Sequence, residues 1–248
     1  MFRELLASCL APASRYARRH GYVYETVAIE ARYRRCRAAW TGHLTHCHRV
    51  IRAACDVCPG RGLAVVLGSG PLFDIPLEDL ADAFAEVVLV DVFHPARARR
   101  RAAALANVRL FEHDLLGFDA GLDWSGTAAA TGRWRQTLPA ADLVVSANLL
   151  SQLPLQPAAH FGSPAPEATR KLLQGHVDDL AGGTGTACLI TEWRRRRFDR
   201  QGQLLSTEQP LSGVVLPPPG AQWEWHIAPP GELAGGGSLI LDVAHYVF

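Results

Sequence analysis

The sequence predicts an α/β fold: a doubly wound, mostly parallel seven-stranded sheet with a C-terminal antiparallel hairpin, plus an N-terminal helical cap. Three observations predict it. From Leu63 onward, short apolar runs alternate with segments of helical period, the pattern of βαβ units around a parallel sheet. Residues 1–58 carry helical periodicity and no such runs. At the other end, two apolar stretches are joined by about eleven Gly/Pro-rich residues with no helix between them, a connection suited to antiparallel neighbours. The 248 residues divide accordingly into a helical cap, 1–58, and an α/β domain, 59–248.

The elements follow in order. Val23, Val27 and Ala31, and Ile29, Tyr33, Cys36 and Trp40, step at three or four residues and predict a helix, punctuated by Gly42 and by Pro59-Gly60. Leu63–Leu67 predicts a buried strand stopped by Gly68-Ser69-Gly70-Pro71. Asp74 is the expected N-cap of the next helix, with Pro76 in its first turn and Leu77, Leu80, Ala81 and Phe84 facing inward. Val87–Asp91, Val108–Phe111, Leu143–Ser146 and Ala187–Ile190 predict four more strands, with helices over 95–105 and 167–180. Trp223–Ile227 and Leu239–Tyr246 predict the closing hairpin, and 117–139 and 194–220 read as loops.

Composition excludes several classes. With 48% hydrophobic and 20% charged residues the chain has material for a core and is not a disordered segment. No stretch reaches the roughly 18 apolar residues of a membrane span. The start, Met1-Phe2-Arg3-Glu4, with Pro12 interrupting the apolar run, makes a poor signal peptide, so a cytoplasmic location is expected. Six cysteines are too few for a disulfide scaffold. The net charge of +1 hides an asymmetry: residues 1–52 hold ten Arg against three Glu, and Lys171 is the only lysine in the chain.

The turn after the first strand carries the chemistry. Glycine at 68 and 70 lets backbone approach a ligand closely, and Asp91, at the end of the second strand, is placed to accept ribose hydroxyls. A dinucleotide fingerprint would put a third glycine where Phe73 stands, which disfavours a nicotinamide or flavin oxidoreductase, as does the closing hairpin.

Over about residues 60–248 the sequence resembles the class I, Rossmann-like S-adenosylmethionine-dependent methyltransferases. The resemblance is carried by Val66-Leu67-Gly68-Ser69-Gly70, Asp91, His113-Asp114, the segment Ala141–Pro154, the run Asp179–Ile190 and the hairpin whose last strand inserts beside the sixth. It implies S-adenosylmethionine as cofactor. It further implies that Leu67, Gly68, Ser69 and Gly70 form the cofactor loop. Asp91 and Val92 would then hold the ribose, His113 and Asp114 bound the adenine, and Ser146 and Asn148 line the reaction side. Two positions depart from the family pattern. Val66 stands where an acid often serves the cofactor's methionine amine, and Leu72 where a third glycine often stands.

Methyl transfer is an in-line displacement governed by positioning and desolvation, with a base needed only where the nucleophile must lose a proton. The resemblance places the acceptor beyond the fourth and fifth strands, beneath the cap. Candidates there are Asn148, Ser151, Glu192 and His160, with Tyr22 and Tyr24 from the cap; Asn148, Glu192 and Tyr24 are the chosen catalytic set. Ser146-Ala147-Asn148-Leu149 stands where the family's base-amine methylases carry an Asn/Asp-Pro-Pro-aromatic motif, which disfavours base-amine methylation and leaves small molecules, a protein or other RNA positions; a small-molecule acceptor is the expectation. The alternative is a non-catalytic binding or scaffold protein of the same fold using its basic cap for RNA or an acidic partner.

Two features stand apart. His43, His46, Cys47, His48, Cys55 and Cys58 fall within sixteen residues, but one Cys-x-x-Cys and a helix that spreads His46-Cys47-His48 around its axis fit buried thiols better than a metal site. Arg32, Arg34, Arg35, Arg37 and Arg194–Arg197 fit a solvated helix face and a charged loop better than a nucleic-acid surface.

Overall fold

A computed structural model describes residues 12–116, 132–162 and 165–248 of the chain. In chain order the helices are α1 (Arg15–Arg19), α2 (Tyr22–Val57), α3 (Leu77–Ala83), α4 (Ala96–Ala103), α5 (Leu155–Phe161) and α6 (Pro166–Ala181). The strands are β1 (Leu63–Leu67), β2 (Glu86–Asp91), β3 (Val108–Glu112), β4 (Leu143–Ala147), β5 (Thr186–Phe198), β6 (Leu204–Glu208), β7 (Ala221–Ala228) and β8 (Ser238–Val247).

The strands order as β3-β2-β1-β4-β5-β8-β7, with β6 pairing β5 off that path. β1 to β5 run parallel, and β8 inserts antiparallel between β5 and β7. The seven strands of the sequence reading are all present. The eighth, β6, lies in the segment read as a loop, and β5 itself runs on through Arg194–Arg197 to pair with it. Every residue of β6 is exposed, so no apolar alternation marks it in the sequence.

Side-chain alternation builds two cores, one on each sheet face. Ala64, Val66, Val87, Leu89, Val145 and Ile190 face α2, α3 and α4. Val65, Leu67, Val88, Val90, Val144 and Leu189 face α6 and the buried Trp134. Each fully buried aliphatic of this kind stabilises the fold by roughly 1.5–3 kcal/mol.

The N-terminal segment joins both the core and the ligand edge. α2 is one helix of 36 residues, passing through Gly42 and departing from helical angles at Cys36. Its second half packs Trp40, Cys47, Ile51 and Ala54 into the first core. Trp40 donates its indole N–H to the Ile227 carbonyl at 3.0 Å and meets Trp225 edge-on at 4.9 Å. α1 takes Ser14 as its N-cap, and its Ala17 packs with Val23 and Phe93 over the end of β2.

Two local expectations change. α3 starts at Leu77, and Asp74 is not its cap: the carboxylate turns instead to the Asn148 side chain. α5, between β4 and α6, is an element that the sequence pattern does not announce. Part of the 117–139 reading lies outside the described residues; within it, Arg133–Gln136 form a 3-10 turn that buries Trp134.

Candidate functional site

The strand order reverses between β1 and β4: the chain moves outward from β1 to β2 and β3, then returns to the other side of β1 for β4. The crevice at the carboxyl ends of these two strands is where open α/β sheets take ligands. Both glycines of the loop entering it are left-handed, with φ of +68° at Gly68 and +49° at Gly70. A Cβ at Gly68 would stand 3.0–3.1 Å from the Leu149 side chain, so β4's exit packs directly against the loop. At Gly70 the nearest such contact is the Gly68 carbonyl oxygen at 3.9 Å, so no side chain packs over this backbone.

Asp91 ties the loop to β2. Its Oδ2 accepts the Gly70 N–H at 2.7 Å, and its Oδ1 accepts that of Phe93 at 3.4 Å. Burial pushes this carboxyl up, against the pull of those N–H groups. Behind it His94 is fully buried, within 3.5 Å of the Ser69 hydroxyl, and burial holds its pKa down. Leu67 is buried in the sheet, and Val92 packs on the cluster beneath α1. The loop leaves through Leu72, whose φ is +61° and whose side chain is buried in the first core.

Across β3, the His113 ring stacks on Phe111 with centroids 5.3 Å apart, and its Nε2 is buried with no hydrogen-bond partner. Asp114 accepts the Leu116 N–H at 2.9 Å through Oδ1 and the Tyr16 hydroxyl, from α1, through Oδ2. Tyr22 lies beside the same carboxylate. Burial, with Asp114 and Asp91 nearby, holds its hydroxyl protonated far above the usual tyrosine range.

The β4 side of the crevice holds a second polar group. Asn148 leaves β4 in the left-handed region, φ +54°, anchored by its N–H to the Ile190 carbonyl at 2.8 Å. Its Nδ2 donates to Asp74 Oδ2 at 2.6 Å and lies 3.3 Å from His43 Nε2. Burial pushes Asp74 up, while the Asn148 amide opposes that shift. The His43 ring lies flat on Trp225 at 3.8 Å and takes the Trp223 indole N–H on Nδ1 at 3.1 Å. Indole nitrogen only donates, so the ring proton sits on Nε2, 3.5 Å from the Cys47 sulfur. Burial holds His43 neutral, its pKa pulled down to about 3.

The remaining residues of interest scatter. Ser146 points to the other sheet face, bonded to His176 Nε2 at 2.9 Å. Glu192 is buried and ion-paired with Arg195 at 2.7 Å. Tyr24 stands 37% exposed on the first turn of α2, and Ser151 is buried with no partner for its hydroxyl. The side chain of His160 lies outside the described residues. Asp74, His43 and Trp223 enter the site unannounced: Asp74 read as a helix cap, His43 as one of a thiol-and-imidazole cluster, and Trp223 as a strand aromatic.

That cluster does not converge. His43 and Cys47 face the crevice, His46 stacks on Trp223, and Cys58 donates to backbone carbonyls at Gly60 and Asp142. Among the described residues no three His, Cys, Asp or Glu side chains are grouped as metal ligands. The arginines are largely engaged. Arg32 and Arg35 pair with Glu232, Arg194 with Asp242, Arg195 with Glu192, and Arg196 with both Asp242 and Glu224. Among the described residues, no helix is long and apolar enough to cross a membrane.

No protein-family model matches the sequence, and no curated protein does. Among solved structures the chain is similar to the N-methyltransferase NodS from Bradyrhizobium japonicum WM9 at 16% identity. That match covers 82% of this chain and 95% of NodS, with a TM-score of 0.40. It is similar to the 1,6-didemethyltoxoflavin-N1-methyltransferase of Burkholderia thailandensis, solved with bound 1,6-didemethyltoxoflavin and S-adenosylhomocysteine, at 14% identity. There 89% of this chain and 86% of the other are covered, with a TM-score of 0.41. The DhpI–SAM–HEP complex matches at 12% identity over 93% of this chain and 99% of that one, TM-score 0.41.

Proposed function

We propose that the protein is an S-adenosylmethionine-dependent methyltransferase acting on a small molecule. The observation that carries this is the bond from Gly70 N–H to Asp91 at the sheet's switch point, with both loop glycines left-handed. The residues present fit the cofactor. The loop offers bare backbone at Gly70, His113 Nε2 is a buried polar atom lacking a partner, and Asn148 Oδ1 is another. When bound, S-adenosylmethionine supplies an electrophilic methyl group on a sulfonium centre.

The chain's own residues would do the rest. Gly68–Gly70 and Leu67 shape the cofactor loop, and Asp91 and Val92 border the ribose. His113 and Asp114 bound the adenine, and Ser146 stands behind the reaction side at the end of β4. Residues 1–58 serve as a cap on the α/β domain, 59–248, and the acceptor lies beneath it in the cytoplasm. Asn148 meets the reacting end, and Tyr24 and Glu192 orient the acceptor. Glu192 is held by Arg195, so its part is positioning and not proton removal. A non-catalytic binding protein of the same fold is the second reading. It draws on the Tyr16 hydroxyl already engaging Asp114, and on Val66, buried where an acid would serve the cofactor.

Titration calorimetry with S-adenosylmethionine and S-adenosylhomocysteine tests the proposal. Micromolar binding to the wild type, weakened at least a hundredfold in Asp91→Ala, supports it. Absence of binding to either ligand sinks it.

A further inference from the structure

One side of the crevice sets a carboxylate, Asp74, beside a buried amide oxygen that no donor meets, Asn148 Oδ1. Asp74 lies four residues after Gly70, on the way out of the loop, and its Oδ2 receives the Asn148 Nδ2–H. Asn148 is 7% exposed, yet its Oδ1 has no partner. The carboxylate fixes which way the amide points, because an oxygen in place of Nδ2 would stand 2.6 Å from a carboxylate oxygen. His43 does not take up the slack. Its Nδ1 is spent on the Trp223 N–H and its Nε2 proton faces the Cys47 sulfur.

Among the described residues no cationic side chain forms an ion pair with Asp74. The basic side chain acting on it at longer range is that of His48, whose Nε2 is bonded to the Phe73 carbonyl at 3.1 Å. A carboxylate and an amide oxygen one hydrogen bond apart, both acceptor-only, fit an ammonium group with its three donors. The pair borders the cofactor loop: Leu149, next to Asn148, packs on Gly68.

We propose that Asp74 and Asn148 together receive the α-ammonium group at the amino-acid end of S-adenosylmethionine. The proposal rests on the methyltransferase reading above. It also accounts for Val66, which is wholly buried in β1 and offers that ammonium nothing. The acid is supplied from beyond the loop, reaching the crevice through a side chain on β4's exit.

The test is a pair of ligands differing only in the amino-acid end. S-adenosylhomocysteine carries the ammonium; 5′-methylthioadenosine keeps the thioadenosine and lacks it. Titration calorimetry of Asp74→Asn is expected to show affinity for S-adenosylhomocysteine lowered about ten- to hundredfold, the scale of a lost charge-assisted bond. Affinity for 5′-methylthioadenosine stays within twofold, which also shows that the variant's site is folded. Asn148→Ala, which leaves Asp74 in place, gives a smaller loss with the same ligand selectivity. An unchanged affinity for S-adenosylhomocysteine in Asp74→Asn overturns the proposal, as does an equal loss for both ligands. A wild type that binds neither ligand removes the methyltransferase reading itself, and this proposal with it.

Discussion

Leu72 and Asn148 are the two non-glycine residues at positive φ among the described residues, +61° and +54°, and they flank the same crevice. Left-handed backbone costs a side-chain-bearing residue roughly 1–2 kcal/mol, less for asparagine. The two sites offset that cost differently. Leu72 is 1% exposed and its side chain is part of the core beneath the loop; packing holds it. Asn148 is held by its N–H to Ile190 and by Asp74, and it keeps one polar atom unpartnered. Strain secured by packing reads as architecture. Strain that ends in an unmet hydrogen bond reads as a site.

Substituting each residue by glycine separates the two. Leu72→Gly relieves the backbone but empties a buried leucine site. The lost packing, about 4 kcal/mol, exceeds the relief, and a net destabilisation of about 3 kcal/mol is expected in urea unfolding. Affinity for S-adenosylhomocysteine, measured well below the new midpoint, stays within threefold. A variant as stable as the wild type would show that packing does not hold Leu72 in place.

The next effect comes from the histidine behind Asn148. His43 has a folded pKa of about 3 against 6.5 unfolded, so only the unfolded chain binds the proton between those values. Its contribution is complete above pH 6.5 and is lost as pH falls towards 3, amounting to roughly 2 kcal/mol at pH 5. His176, lowered to about 4 by burial on the opposite face, behaves likewise. Between pH 7 and pH 5 the stability of His43→Gln is therefore expected to fall by about 2 kcal/mol less than that of the wild type. Equal slopes would mean that His43 is solvated or charged in the folded state.

Asn148→Gly should do the reverse of Leu72→Gly. The amide is lost while the backbone is relieved, so stability changes by less than about 1 kcal/mol. Binding of S-adenosylhomocysteine weakens about tenfold, since Asp74 alone remains to receive the ammonium. If stability falls as steeply as in Leu72→Gly, the two residues do the same work and the contrast fails.

This contrast also marks how far the sequence could be read. β1, β2, β4 and the first half of β5 were legible because strands buried on both faces are continuous apolar runs, and Gly68, Gly70 and Asp91 stand at the ends of the first two. Leu72 was visible as a departure from the family's glycine, though not that it would keep the glycine's conformation. The Trp223–His43 bond spans 180 residues and Asn148–Asp74 spans 74, distances at which no local pattern speaks. Asp74, before a helix, carries the signature of a cap, and only the fold shows its carboxylate turned the other way. β6 has no buried face to give it a period.

The smallest effects are expected in the arginine tract, far from both residues in character. Arg194 and Arg196 share Asp242, which is 6% exposed, and Arg196 also reaches Glu224. Arg197 stands exposed on β5. Arg196→Ala leaves Arg194 on Asp242, so about 1 kcal/mol of stability is lost; Arg197→Ala changes it by less than 0.5 kcal/mol. Because most of this charge is already neutralised within the sheet, neither change should alter retention on heparin or affinity for single-stranded RNA by more than twofold. A clear loss in Arg197→Ala, falling with salt as counterion release requires, would make the strand a polyanion surface and revive the scaffold reading. Retention that ignores the arginines turns attention back to the crevice, where Asn148 Oδ1 and His113 Nε2 lack partners.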